Sequence, residues 1–283
     1  MSNFDINRFC KTFRWYLGVS SRSLIMWTCG YVVAVFLGEL MFFSSSSDGG
    51  QEQILRIIED FGIIFIMIGL AVGFSTLFSD FNKKPKREAF LMLPASNLEK
   101  FLSVVVYATV VWTLSVFISF ALGDTLRMLY RGLLYGEEYV SVVPMMFETL
   151  SFNSNSFAQE RFWFDVMYLI VTLGVLMWIH STYILGGTLF RKYSFVVTSA
   201  FIIICVITCI KLTHYFNYTM FSVFRDYNTN PVTVKSYVIG EMSYVCAVVL
   251  PLLSVFNYWA SFHIFKGFQL ITNKWFNYDI LKR

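Results

Sequence analysis

The chain has 283 residues, 57% hydrophobic and only 14% charged, with a formal net charge of +4, whereas soluble domains carry roughly 25% charged residues. That much apolar surface excludes a soluble fold. Continuous apolar runs of about 20 residues also exclude a β-barrel, whose strands alternate apolar and polar positions over about ten. The composition predicts an all-α polytopic membrane protein, a single transmembrane domain over 1–283, in contact with the lipid bilayer and not with nucleic acid.

Residues 4–17 place Phe4, Ile6, Phe9, Cys10, Phe13, Tyr16 and Leu17 at near-helical spacing, with Arg8, Lys11 and Arg14 on another face. This predicts an N-terminal amphipathic helix in the membrane interface. A first span is expected at about 24–43, longer than a signal-peptide core and without an A-x-A-like cleavage site. Glu39 lies near its outer end. A carboxylate beside hydrocarbon needs a partner or a water-filled cavity, which makes Glu39 a candidate intramembrane polar site.

After the connector SSSSDGGQEQ, a second span is expected at about 61–78. Gly69-x-x-x-Gly73 forms a small-residue face on it that would admit another helix closely. Then comes FNKKPKREAFLMLPASNLEKF, residues 81–101, the longest loop on its side. Its Lys83, Lys84, Lys86 and Arg87 precede an apolar ridge, Phe90 to Leu93, and Pro94 marks a turn before Glu99 and Lys100. Apolar residues in a charged loop must dock on the bilayer, on the protein itself or on a partner.

Further spans are expected at about 101–122, 163–185, 195–212 and 244–265, six in all. Between the third and fourth, residues 123–161 begin as an amphipathic helix through Leu126, Leu129, Tyr130, Leu133 and Leu134. Pro144 and the NSNS run at Asn153 are expected to break up the remainder of that segment. Residues 213–242 hold no clean span and read as interfacial or re-entrant structure on the outer side.

Fifteen of the 22 Lys and Arg fall on the side of the N-terminus, the 81–101 loop, the loop after span four and the tail. The positive-inside rule makes that side cytoplasmic and leaves both termini inside. The spans carry few ionisable groups, among them Glu39, His180, Lys211 and His263. No H-E-x-x-H, G-x-S-x-G or G-x-x-x-x-G-K-[ST] pattern occurs, so no catalytic residue, metal or cofactor is expected, and nucleotide hydrolysis would fall to another chain. The five cysteines lie within apolar runs or the N-terminal helix and read as packing residues.

The stretches LMLPASNLEKFLS (Leu91 to Ser103) and LGGTLFRKYSF (Leu185 to Phe195) join the layout as distinguishing features. Together with an N-terminal amphipathic helix, six spans and a basic loop between spans two and three, they resemble the ABC-2 type transporter permeases. These are the membrane subunits of type 2 ABC exporters, and the second stretch is similar to bacterial uncharacterised relatives. The resemblance implies a bacterial inner-membrane permease without ATPase activity of its own, working as a homo- or heterodimer of membrane subunits. A separate ABC ATPase would dock on the 81–101 loop. Lys86, Arg87, Phe90, Leu91, Leu93, Pro94, Glu99 and Lys100 would form its coupling segment, and residues 4–17 the connecting helix. The long outer segment 123–161 departs from the short turn common in that family. The alternative is a non-transporting membrane scaffold or regulatory subunit.

Overall fold

The computed structural model describes residues 4–45, 51–76, 84–136, 139–150, 159–190, 193–216, 218–226 and 233–267. Among the described residues six helices are long and apolar enough to cross a membrane, so the chain is a polytopic, multi-pass membrane protein. It divides into two compact units, Met1–Ser151 and Phe152–Arg283. The NSNS run, Arg191, Lys192 and the tail beyond Gly267 lie outside the described residues.

The first unit begins with α1 (Ile6–Ser45), a single uninterrupted helix. A separate interfacial helix over 4–17 is therefore not seen. The segment expected to part it from the first span, GVSSRS, contains no proline to remove a helical hydrogen bond. The Ser21 hydroxyl donates back to the Gly18 carbonyl at 2.9 Å within a turn that stays helical. Helix α2 (Gln51–Thr76) follows, then the short α3 (Lys84–Leu91) and α4 (Asn97–Val106).

The third span is longer than its apolar run. A π-helix (Tyr107–Trp112) continues α4, and α5 (Thr113–Tyr135) continues the π-helix without a break, ending at Gly136 in the left-handed conformation, φ 65°. Residues 123–135, read from the sequence as the start of an outer segment, are thus the upper turns of this span. The hydrophobic signal fades at Gly123-Asp124, but those residues are buried against α1 and the helix does not stop there. Helix α6 (Val143–Leu150) holds Pro144 in its first turn. There a missing N–H costs nothing, so this proline starts a helix and does not break one.

In the second unit, α7 (Gln159–Leu189) packs most extensively on α9 (Glu241–Lys266), and α8 (Ser194–Tyr215) lies against α7. The residues of α9 that are buried, Ser243, Ser254, Asn257, Ser261 and Phe265, are mostly small and polar. Small side chains let backbones approach where no hydrophobic drive separates protein from lipid. The segment between α8 and α9, expected to be interfacial or re-entrant, forms an antiparallel hairpin of β1 (Phe221–Asp226) and β2 (Thr233–Ile239) with an irregularity at Phe224/Arg225. Phe221 packs edge-on against Phe164 and Tyr168 of α7.

Candidate functional site

All of the sequence-predicted site residues fall in the first unit. At its loop end, α3 is folded back onto the start of α1. Phe90 is 1% exposed. Its ring lies 6.0 Å from Trp15 and 6.1 Å from Tyr16, and Tyr16 in turn meets Tyr107 edge-on at 5.0 Å. Arg87 is buried as well. The outer rim of the loop is formed by Met92, 85% exposed, with Pro94 and Leu98; Lys86, Leu91 and Leu93 are half-buried.

Glu99 ties the two ends of this region together. The sequence Ser96-Asn97-Leu98-Glu99 forms a capping box: Glu99 N–H donates to Ser96 Oγ at 3.3 Å, and Ser96 N–H donates to Glu99 Oε2 at 2.8 Å. Such a box satisfies two backbone donors that the start of a helix would otherwise leave open. The other carboxylate oxygen, Oε1, accepts the backbone N–H of Asp5 at 2.9 Å and the Arg8 guanidinium at 3.1 Å. One fully buried carboxylate thus holds the first turns of both α4 and α1. Beside it, the Lys100 ammonium donates to the Leu91 carbonyl at 2.7 Å, closing the C-terminal end of α3.

Phe90, Arg87, Glu99 and Lys100 therefore do not present themselves to a partner. The sequence showed an apolar ridge in a charged loop and left three surfaces for it. The aromatic pair Trp15 and Tyr16 is the surface that takes Phe90. The lysine and the glutamate, expected as part of a partner-binding coupling segment, are the fasteners of this region.

The Gly69 and Gly73 face receives side chains, not another helix backbone. The Trp112 indole lies over Gly73 where a Cβ would stand, and its Nε1–H donates to the Gly69 carbonyl at 3.0 Å. Tyr31 of α1 abuts Gly69, and Phe120 of α5 abuts Gly62 in the same manner. Trp112 is the last residue of the π-helix. Aromatic contacts thus run from α3 through Tyr16 to one end of the π-helix at Tyr107, and at its other end Trp112 is seated in α2.

At the opposite end of the unit, Glu39 is 3% exposed and has found a partner. Arg127 Nε donates to Glu39 Oε2 at 3.0 Å and to Asp124 Oδ1 at 3.1 Å. Arg127 Nη2 reaches the same Asp124 oxygen and also the Val140 carbonyl at 3.0 Å. Asp124 Oδ2 accepts from the Ser141 hydroxyl at 2.5 Å and the Val142 N–H at 3.0 Å. The cluster therefore pins residues 140–142, just before α6, onto α1 and α5. Glu39 Oε1 accepts no hydrogen bond among the described residues. Asp124 and Arg127 were missed from the sequence because they lie past the last strongly apolar turn. The available signal was the i, i+3 Asp–Arg spacing on the helical extension.

The second unit contributes a neutral polar seam between α7 and α9. His180 Nδ1 and the Tyr258 hydroxyl share a hydrogen bond, and Asn257 Nδ2 donates to Ser181 Oγ at 3.2 Å and Thr182 Oγ1 at 3.1 Å. His180 is thus engaged between helices, and no group of His, Cys, Asp or Glu suited to a metal occurs among the described residues. Comparison with protein-family models, with curated proteins and with solved structures finds no match to this chain.

Proposed function

We propose that the chain is the membrane permease subunit of an ABC-type exporter in a bacterial inner membrane, with both termini cytoplasmic. A separate ATP-binding subunit would dock on the 81–101 loop, and two membrane subunits would form the working pair. The observation that carries this reading is the fastening of α3: Phe90 against Trp15 and Tyr16, with Glu99 bridging α4 to Asp5 and Arg8. A short helix held at this many points moves as one body with the spans it joins. Force applied to its exposed rim would therefore reach α1, α4 and, through Tyr107, the π-helix.

On this reading the contact with the ATPase is made by Met92, Pro94 and Leu98, not by the buried Phe90. A large exposed apolar residue is the kind of anchor that interfaces use. The test is co-purification of the tagged full chain from its native membrane. The wild type should bring down a Walker-motif ATPase, and Met92→Asp and Leu98→Asp should lose it while the protein keeps its thermal stability. If the wild type captures no ATPase, the transport reading fails and a non-transporting scaffold or regulatory subunit takes its place.

A further inference from the structure

Midway along the first unit, α1, α2 and the junction of the π-helix with α5 line a half-open cavity of about 210 Å³. Its walls include Trp27, Tyr31, Phe65, Ile68, Trp112 and Val116. Several polar groups stand around it, yet its accessible wall is apolar, because those groups are turned into the protein. Thr28 donates its only hydroxyl proton to the Leu24 carbonyl at 2.8 Å, and so accepts from Ser115 at 2.7 Å. Ser119 donates to the Ser115 carbonyl and Trp112 to the Gly69 carbonyl. The Tyr31 hydroxyl is pressed against Gly69 and buried, with no hydrogen-bond partner among the described residues.

A water molecule needs two to four polar partners, and an apolar cavity of about 150 Å³ already suffices for benzene. This cavity has one unsatisfied hydroxyl at its wall, that of Tyr31, fewer partners than a water needs, and its volume leaves room for a hydrocarbon segment of about six to eight carbons by the same scale. Its lining belongs to three membrane-crossing helices, and two of the lining residues, Trp27 and Ile68, are also half exposed on the outside of the helices. The medium on that side is the acyl-chain region of the bilayer.

We propose that this cavity is a lipid site that takes one acyl chain of a bilayer phospholipid. The inference stands whether or not the chain transports anything. A seated acyl chain would press on Trp112, and so on the residue by which the π-helix is plugged into α2.

The experiment uses the full chain in vesicles of dioleoylphosphatidylcholine, doped with a phosphatidylcholine carrying a diazirine midway along one acyl chain. After photolysis, peptides covering 27–34, 65–72 and 112–119 should be labelled several-fold above the exposed α8 positions Ile203, Ile207 and Ile210, which report ordinary contact with surrounding lipid. Ala34→Phe, at an exposed position of α1, and Val72→Phe, half-buried on α2, both fill the cavity. Each should bring its label down to the α8 level and leave α8 unchanged. Wild-type cavity labelling no higher than that of α8 overturns the proposal, and this ratio decides alone if either variant fails to fold. Labelling that persists in both folded variants also overturns it. So does labelling by a diazirine fatty acid with none from the phosphatidylcholine.

Discussion

The two units solve the same problem, joining apolar helices in a solvent as apolar as themselves, with different materials. In Met1–Ser151 the helices are held by charge and by aromatic rings set into glycine: Glu39–Arg127–Asp124 at one end, Glu99–Arg8 at the other, and Trp112 over Gly73 between them. In Phe152–Arg283 the pairing of α7 with α9 rests on small residues and neutral hydrogen bonds, Asn257 to Ser181 and Thr182, and His180 with Tyr258. Within the second unit, Gly174 faces Leu250 and Pro251 at ordinary van der Waals distance. The first arrangement is specific and costly to interrupt, since removing one partner strands a buried charge. The second tolerates loss, because a neutral pair broken within the membrane leaves groups that find other partners.

That contrast sets the order of expected effects. Arg127→Met leaves Glu39 and Asp124 buried without their cation and should cost about 3–5 kcal/mol. Chemical unfolding of the purified protein would read this, and a loss below about 1 kcal/mol would show that the cluster is not what holds α1 to α5. Next in size, Phe90→Ala empties the site between Trp15 and Tyr16 and should cost about 3 kcal/mol. It should also raise the protease sensitivity of the 84–96 segment, whereas Met92→Ala should leave both unchanged.

Gly73→Ala places a methyl group where the Trp112 indole lies, an overpacking expected to cost about 1–3 kcal/mol. A shift in tryptophan emission should accompany the loss, and an unshifted spectrum with full stability would mean that the ring has another place to go. In the second unit, Asn257→Leu removes both hydrogen bonds to α7 and should cost only about 1 kcal/mol, at roughly 0.6 kcal/mol for each. If Asn257→Leu proves as damaging as Arg127→Met, the distinction between the two units collapses.

The six spans were legible because about 20 apolar residues in a row admit few other structures. Most of the candidate site was legible as residue types but not as pairings. Glu39 declared its need for a partner, yet Arg127 stands 88 positions away, beyond the end of an apolar run, in what read as an amphipathic helix of the outer segment. Phe90 declared an apolar surface, but its being covered from within depends on Tyr16, brought there by the folding back of the loop. The unbroken α1 was hidden for the opposite reason. A change of composition from amphipathic to apolar suggests a boundary, whereas the backbone stops only where a hydrogen bond fails. Gly69 and Gly73 were recognised as a contact face, but an indole and a helix backbone ask the same absence of a side chain.

The π-helix has a consequence for the geometry of the whole third span. An α-helix turns by about 100° per residue, and a π-helix takes up about one extra residue in its turn. Tyr107–Trp112 therefore works as a phase shifter between two faces. Below it the buried residues are Glu99, Lys100, Phe101, Ser103 and Val104; above it they are Val116, Ser119, Phe120, Gly123, Asp124 and Arg127. Deleting the exposed Val110 would remove that extra residue and leave the stripe beyond in register, whereas the same residues wound as α throughout would swing everything beyond by about 100°. Asp124 and Arg127 would then leave Glu39 at the far end of the unit, with no change to any residue that touches it.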